Sequence, residues 1–197
     1  MHLIGIGGTN GAGKDTLAQV LVDRFGFLFV SVSDVLRDEA RRRGLLVERE
    51  ALRTISAQWR RESGLGVLVD RSLEHLTSSH MGIAIASIRN PGEADRIHEL
   101  GGLLIWIDAP AKIRYERIVA RGRAAEDAKT FEEFVAEENA ERSHAGDSAT
   151  LSLSDVEELA DLRIENAGTD LEAFKEAAEQ ELSTHVRALT RTRSDRG

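Results

Sequence analysis

Gly8-Thr9-Asn10-Gly11-Ala12-Gly13-Lys14-Asp15-Thr16 decides the reading of this 197-residue chain. Ahead of it, Leu3-Ile4-Gly5-Ile6-Gly7 is a short apolar run with the character of a buried strand. Behind it, Lys14 to Phe25 sets Leu17, Val20, Leu21 and Phe25 at helical spacing. Strand, glycine-rich turn and helix, in that order, is the setting in which G-x-x-x-x-G-K works as a phosphate loop, the Walker A pattern. Its glycines let successive N–H groups curl inward onto phosphate oxygens, and the helix start adds the positive end of its dipole. Lys14 is then expected on the β- and γ-phosphates of ATP. Gly8, Asn10, Gly11, Ala12, Gly13, Asp15 and Thr16 are expected to line the same nucleotide. One position departs from the usual pattern: Asp15 stands where Ser or Thr normally follows the lysine, and the hydroxyl comes one residue later at Thr16.

Working outward, Phe27 to Val30 reads as a second buried strand, and Ser33 or Asp34 as the cap of the helix after it. Glu48 to Arg61 and Val67 to Leu76 are expected helices, divided by Gly64 and Gly66. Gly82 to Ile88 and Leu103 to Ile107 are further apolar strands, and Pro91 suits the first turn of a helix between them. Ala111 to Ala120, Phe131 to Glu141 and Leu171 to Leu189 complete the expected helices, with a fifth strand at Leu162 to Ile164. Strands that are continuous apolar runs alternating with helices indicate a parallel sheet covered on both faces. The expectation is a three-layer α/β fold of about five parallel strands in a single domain over residues 1–190. Residues 34–80 form its helical acceptor-binding part, 121–149 a polar lid, and 191–197 a polar, frayed tail.

Composition narrows the partners. Length predicts one domain, at roughly 150 residues per domain. The chain is 41% apolar, ordinary for a globular protein. No apolar run approaches the roughly 20 residues of a membrane span. The opening residues lack the basic region and long apolar core of a signal peptide, so a cytoplasmic location is expected. There is no cysteine, which excludes disulfides and thiolate metal sites. A net charge of −8 argues against nucleic-acid or membrane-surface binding, which needs a basic field. Of the 26 basic residues 22 are Arg, a planar fork suited to phosphate oxygens, although a GC-rich genome produces the same bias.

The loop resembles that of the adenylate kinase and nucleoside monophosphate kinase family, whose usual form is G-x-x-G-A-G-K-G-T. The Gly-Lys-Asp variant occurs in deoxynucleoside monophosphate kinases and phosphomevalonate kinases. The resemblance implies a P-loop kinase fold, Thr16 on a nucleotide phosphate, and Mg²⁺ held largely through water, with Asp15, Thr16 and Asp34 as candidate ligands; the alternative for Asp15 is simply to start the helix near its positive end. Phe29-Val30-Ser31-Val32-Ser33-Asp34-Val35-Leu36-Arg37 is similar to the acceptor segment of adenylate kinases. It also resembles dephospho-CoA kinases, in which an Asp after the second strand is the acidic catalytic residue. Arg37 would grip the acceptor phosphate bidentately, and Asp34 would orient the attacking group. Arg89, after the third strand, falls where these kinases place another acceptor-phosphate arginine. Relatives commonly carry an acid three or four residues before that arginine; this chain has Ile85 and Ala86 there, and Ser87 offers only a hydroxyl.

Arg114, Arg117 and Arg121 are spaced to share one helical face, and Arg123 follows. They resemble the arginines that lead into the lid of these kinases, and Arg117, Arg121 and Arg123 are expected to meet ATP and the transferring phosphoryl group. Ala160-Asp161-Leu162-Arg163-Ile164-Glu165-Asn166-Ala167-Gly168-Thr169 resembles the last strand and turn of dephospho-CoA kinases, which runs beside the adenine. Glu132, Glu133, Glu137, Glu138 and Glu141 read as a solvated helix face, as does Arg41-Arg42-Arg43, with one of those arginines lining the acceptor cleft as the alternative. Trp59 and Trp106 read as packing residues, and His75 and His80 as incidental. The expected activity is ATP-dependent transfer of a γ-phosphoryl group to a small phosphorylated acceptor, a nucleoside or deoxynucleoside monophosphate. The alternatives are a dephospho-CoA kinase-like enzyme and an ATP-binding regulator or slow ATPase, and the expected assembly is a monomer or homodimer.

Overall fold

β1 (His2–Gly8) occupies the centre of a five-stranded sheet in the computed structural model, which describes residues 2–122, 130–142 and 151–194. β3 (Gly82–Ile88) and β4 (Leu103–Asp108) flank it, with β2 (Phe27–Ser31) beyond β3 and β5 (Leu162–Glu165) beyond β4. Every pairing is parallel. Both faces must therefore be covered, and the period-two alternation of each strand feeds two separate cores. On β3, Ile83 and Ile85 enter one core while Ala84 and Ala86 enter the other.

The first core is closed by α2 (Val32–Arg42), α3 (Arg49–Ser63), α4 (Val67–Leu73), α5 (Pro91–Glu99) and α8 (Leu153–Glu158). The second is closed by α1 (Lys14–Phe25) and α9 (Leu171–Ser194), through Leu17, Leu21, Phe174 and Leu182. α6 (Ala111–Arg121) and α7 (Phe131–Arg142) follow β4 and pack on each other. The three-layer α/β fold of about five parallel strands expected from the alternation is thus the fold observed.

Local differences have local causes. α2 starts at Val32, straight from the end of β2, so its N-cap is Ser31 and Asp34 sits inside the first turn rather than at the cap. α4 ends at Leu73, short of Leu76, because the chain passes into turns there. α8 was not legible: it has six residues and only two buried apolar anchors, Leu153 and Val156, too short to display a period. α9 continues to Ser194, past the expected end at Leu189, and residues 195–197 of the expected tail lie outside the described ones. Pro91 does open α5, behind a capping box in which Asn90 accepts from the Gly92 amide at 2.8 Å. Of the expected lid at 121–149, residues 123–129 and 143–149 are not described, and α7 runs through the middle.

Candidate active site

The phosphate loop leaves the carboxyl end of β1, where ligands gather in open parallel sheets. Gly11 and Gly13 have φ of +80° and +108°, conformations that an L side chain rarely adopts. A Cβ on Gly11 would fall 2.7 Å from the Arg114 carbonyl oxygen, and one on Gly13 would fall 2.6 Å from Asn166 Nδ2. The loop is therefore shaped by what surrounds it. Lys14 is buried, its Nζ donating to the carbonyls of Gly8 at 2.9 Å and Thr9 at 2.7 Å. Thr9, also buried, donates its hydroxyl to Asp108 Oδ1 at 2.5 Å, tying the loop to the end of β4. Asn166, in the turn after β5, donates Nδ2 to the Ala12 carbonyl at 2.8 Å. That bond ties the loop to the turn after β5.

A cleft of about 760 Å³ opens from this loop. Its wall includes Asn10, Gly11, Gly13, Lys14, Asp15 and Thr16 from the loop, Asp34 and Arg37 from α2, Arg89 beyond β3, and Arg117 and Arg121 from α6. The structure brings these sequence-derived candidates together at one site. Gly8 and Ala12, also expected there, are buried and do not form part of that wall. Arg123 lies outside the described residues.

Asp34 and Arg37 pair with each other at 2.6 Å, both substantially exposed. Arg89 is held by its backbone at both ends: its amide donates to Glu93 Oε2 at 3.0 Å and its carbonyl accepts from the Ser152 amide at 3.0 Å. Just before it, Ser87 has φ of +70° at a register shift between β1 and β3, and faces the Ser31 hydroxyl at 3.4 Å. A strained residue at a bulge beside a cleft is a common device for aiming a functional group. Ile85 and Ala86 are fully buried, so no carboxylate enters the site from this strand end.

Of the three arginines on the α6 face, only Arg117 and Arg121 line the cleft. Arg114 is buried and structural, bonding the Ala109 carbonyl at 2.6 Å and forming a forked pair with Glu138 of α7 at 2.6 and 2.9 Å. This corrects the reading of Glu138 as part of a solvated face. Arg117 spans from α6 to the turn after β5, donating to the carbonyls of Asn166 at 3.0 Å and Gly168 at 2.7 Å. Burial pushes its guanidinium below its ordinary pKa, though an arginine stays charged in any such setting. The Arg41-Arg42-Arg43 run also does more than face water. Arg42 and Arg43 both clamp the buried Glu39, and the Arg42 hydrogen bond above all holds that carboxyl down at about 2. Trp59 packs in the first core as expected, under the Arg71 guanidinium at 3.9 Å.

Sequence reasoning missed Arg49, Arg53 and Arg60 of α3, which face the same cleft from the acceptor side. They share a helical face at spacings of four and seven, a signal that was available once α3 was placed beside the loop. In all, eight cations and two carboxylates line the cleft among the described residues.

A sequence profile of the AAA domain family matches residues 4–143. A UPF0200 protein of Hyperthermus butylicus is 30% identical over 183 residues, 92% of this chain and 93% of that one. The chain belongs to the UPF0200 family and carries its AAA domain. Another UPF0200 protein, from Pyrococcus abyssi, is 33% identical over 65% of this chain and 71% of its own length. Against the UPF0200/UPF0201 protein of Archaeoglobus fulgidus the identity is 30% over 98% of this chain, which spans only 59% of that longer relative. Among solved structures, this UPF0200 chain resembles shikimate kinase from Acinetobacter baumannii in complex with shikimate, at a TM-score of 0.56 and 16% identity over 95% and 94% of the two chains. A gluconokinase from Sinorhizobium meliloti aligns at a TM-score of 0.56 and 12% identity over 97% of each chain. These likenesses show that the UPF0200 fold is that of P-loop kinases. No helix among the described residues is long and apolar enough to cross a membrane.

Proposed function

We propose that this UPF0200 protein is an ATP-dependent phosphotransferase that moves the γ-phosphoryl group to a small phosphorylated acceptor, a nucleoside or deoxynucleoside monophosphate. The observation that carries this reading is the meeting, in one cleft, of the phosphate loop with Arg37 and Arg89. Phosphoryl transfer asks a protein mainly for positioning and charge neutralisation. The loop amides and Lys14 serve the β- and γ-phosphates. Arg37 and Arg89 hold the acceptor phosphate, Asp34 orients the attacking oxygen, and Arg117 and Arg121 gather charge on the transferring group.

Mg²⁺, when bound, neutralises the β- and γ-oxygens. No three His, Asp or Glu side chains cluster as a metal cage among the described residues. That suits Mg²⁺, which keeps several waters and takes one or two carboxylates beside the phosphates. Asp15, Thr16 and Asp34 line the cleft and are the residues that would hold it.

The test is ADP release from purified protein with ATP and Mg²⁺, against ribo- and deoxynucleoside monophosphates and dephospho-CoA. Strong stimulation by one monophosphate, lost in Arg37→Ala and Arg89→Ala, is expected. Stimulation by dephospho-CoA alone would transfer the reading to that acceptor. The buried Ile85 and Ala86, where related kinases carry an acid, favour a second reading as an ATP-binding regulator or slow ATPase. A flat panel with intact ATP binding would establish that second reading over the first.

A further inference from the structure

Glu93 lies in the first turn of α5 and is fully buried, yet the transfer chemistry proposed above gives it no part. One of its oxygens, Oε2, accepts from the backbone amides of Arg89 at 3.0 Å and Asn90 at 3.2 Å. The other, Oε1, accepts from Arg60 Nη2 at 2.6 Å. Arg60 comes from the distant helix α3, where its Nη1 also lies 3.4 Å from the Ser56 hydroxyl. The pair is buried, with side chains 3% and 0% exposed. Arg60 and Arg89 both line the cleft.

A capping box alone needs only a neutral acceptor at this position, and Gln serves as well as Glu. A buried ion pair is also a poor source of stability, because the cost of desolvating two charges offsets much of their attraction. Neither local need explains a carboxylate that bonds a remote guanidinium and the backbone of an anion-binding arginine at once. The geometry points to Glu93 as a positioning residue: it locks the α3 wall of the cleft to the β3–α5 loop, so that Arg60 and Arg89 present their charges to one acceptor anion in fixed register. This rests on the acceptor reading given above. It extends that site to α3, assigns Arg60 to the acceptor anion, and gives Glu93 a role exerted through other residues.

The probe is inorganic phosphate, titrated by ³¹P NMR into protein saturated with β,γ-methylene-ATP and Mg²⁺, which leaves the acceptor end open. In Glu93→Gln the box can still form while the charge is lost. Phosphate affinity is expected to fall at least tenfold, with affinity for the ATP analogue within twofold of wild type. A merely structural role would weaken both together or neither. Arg60→Lys, which keeps a cation beside Glu93 but loses the fork, is the second variant and covers a failure of Glu93→Gln to fold. It is expected to weaken phosphate binding severalfold with the analogue unaffected. Wild-type phosphate affinity in folded Glu93→Gln or in Arg60→Lys overturns the positioning role alone. Absence of phosphate binding by the wild-type protein overturns the acceptor site itself, and this role with it.

Discussion

Gly13 shows how one residue can carry both the conformation and the chemistry of a site. Its φ of +108° and the 2.6 Å approach of Asn166 Nδ2 to the place of a Cβ leave no room for alanine. Gly13→Ala is expected to lower stability by about 1–3 kcal/mol, the usual cost of a strained backbone position, and to break the Asn166 to Ala12 hydrogen bond. Thermal unfolding and ATP binding should therefore worsen together. Lys14→Ala is the contrasting case. Its amine donates to two carbonyls of its own loop, those of Gly8 and Thr9. Phosphoryl transfer should vanish while the circular dichroism spectrum and melting temperature stay close to wild type; full turnover by a folded Lys14→Ala protein would sink the loop mechanism. Both residues were legible in the sequence because a phosphate loop is local, nine consecutive positions between a strand and a helix. Asn166 and Glu93 were not, since each acts through a partner that only the folded topology supplies.

At the scale of elements, charge runs were the hardest feature to read. Glu138 belongs to an acidic stretch, but its carboxylate is 12% exposed and forks onto Arg114, itself 4% exposed, to join α7 to α6. Losing one member of such a pair strands the other charge. Glu138→Ala is expected to cost about 3 kcal/mol in urea unfolding, and Arg114→Met added to it should restore part of the loss. Additive loss in the double variant would mean that the two side chains act independently. Helix α2 makes a related point through pH. Arg42 and Arg43 hold Glu39 at about 2, below the 4.5 of an unperturbed glutamate. A depressed carboxyl stabilises the fold above its unfolded pKa and loses that contribution as pH falls toward the folded one. Glu39→Gln should therefore be less stable than wild type at pH 7, with the gap closing between pH 4.5 and about 2. The strands and the long helices were legible because apolar spacing is repeated over many residues. α8, with six residues, offers too little repetition for the same reading.

For the whole molecule, net charge and local charge point in opposite directions. The chain carries −8, yet eight cations and two carboxylates meet at the cleft. Some of that charge is spent internally, as Arg37 pairs with Asp34, Arg60 with Glu93 and Arg49 with Glu137. What remains decides whether the cleft draws in polyanions from a distance or merely holds them on contact. A net charge of −8 works against long-range attraction of polyanions, while a basic recess walled by protein focuses its field on small anions. Screening separates these two actions, because the Debye length is about 10 Å at 0.1 M salt. A fluorescent ATP analogue mixed with the protein by stopped flow is expected to associate about tenfold more slowly at 0.3 M than at 0.02 M salt. The dissociation rate, which the proposed site would set at close range, should change far less. An association rate indifferent to salt would mean that the internal pairs have already cancelled the field, leaving the arginines to act only once the ligand is in place.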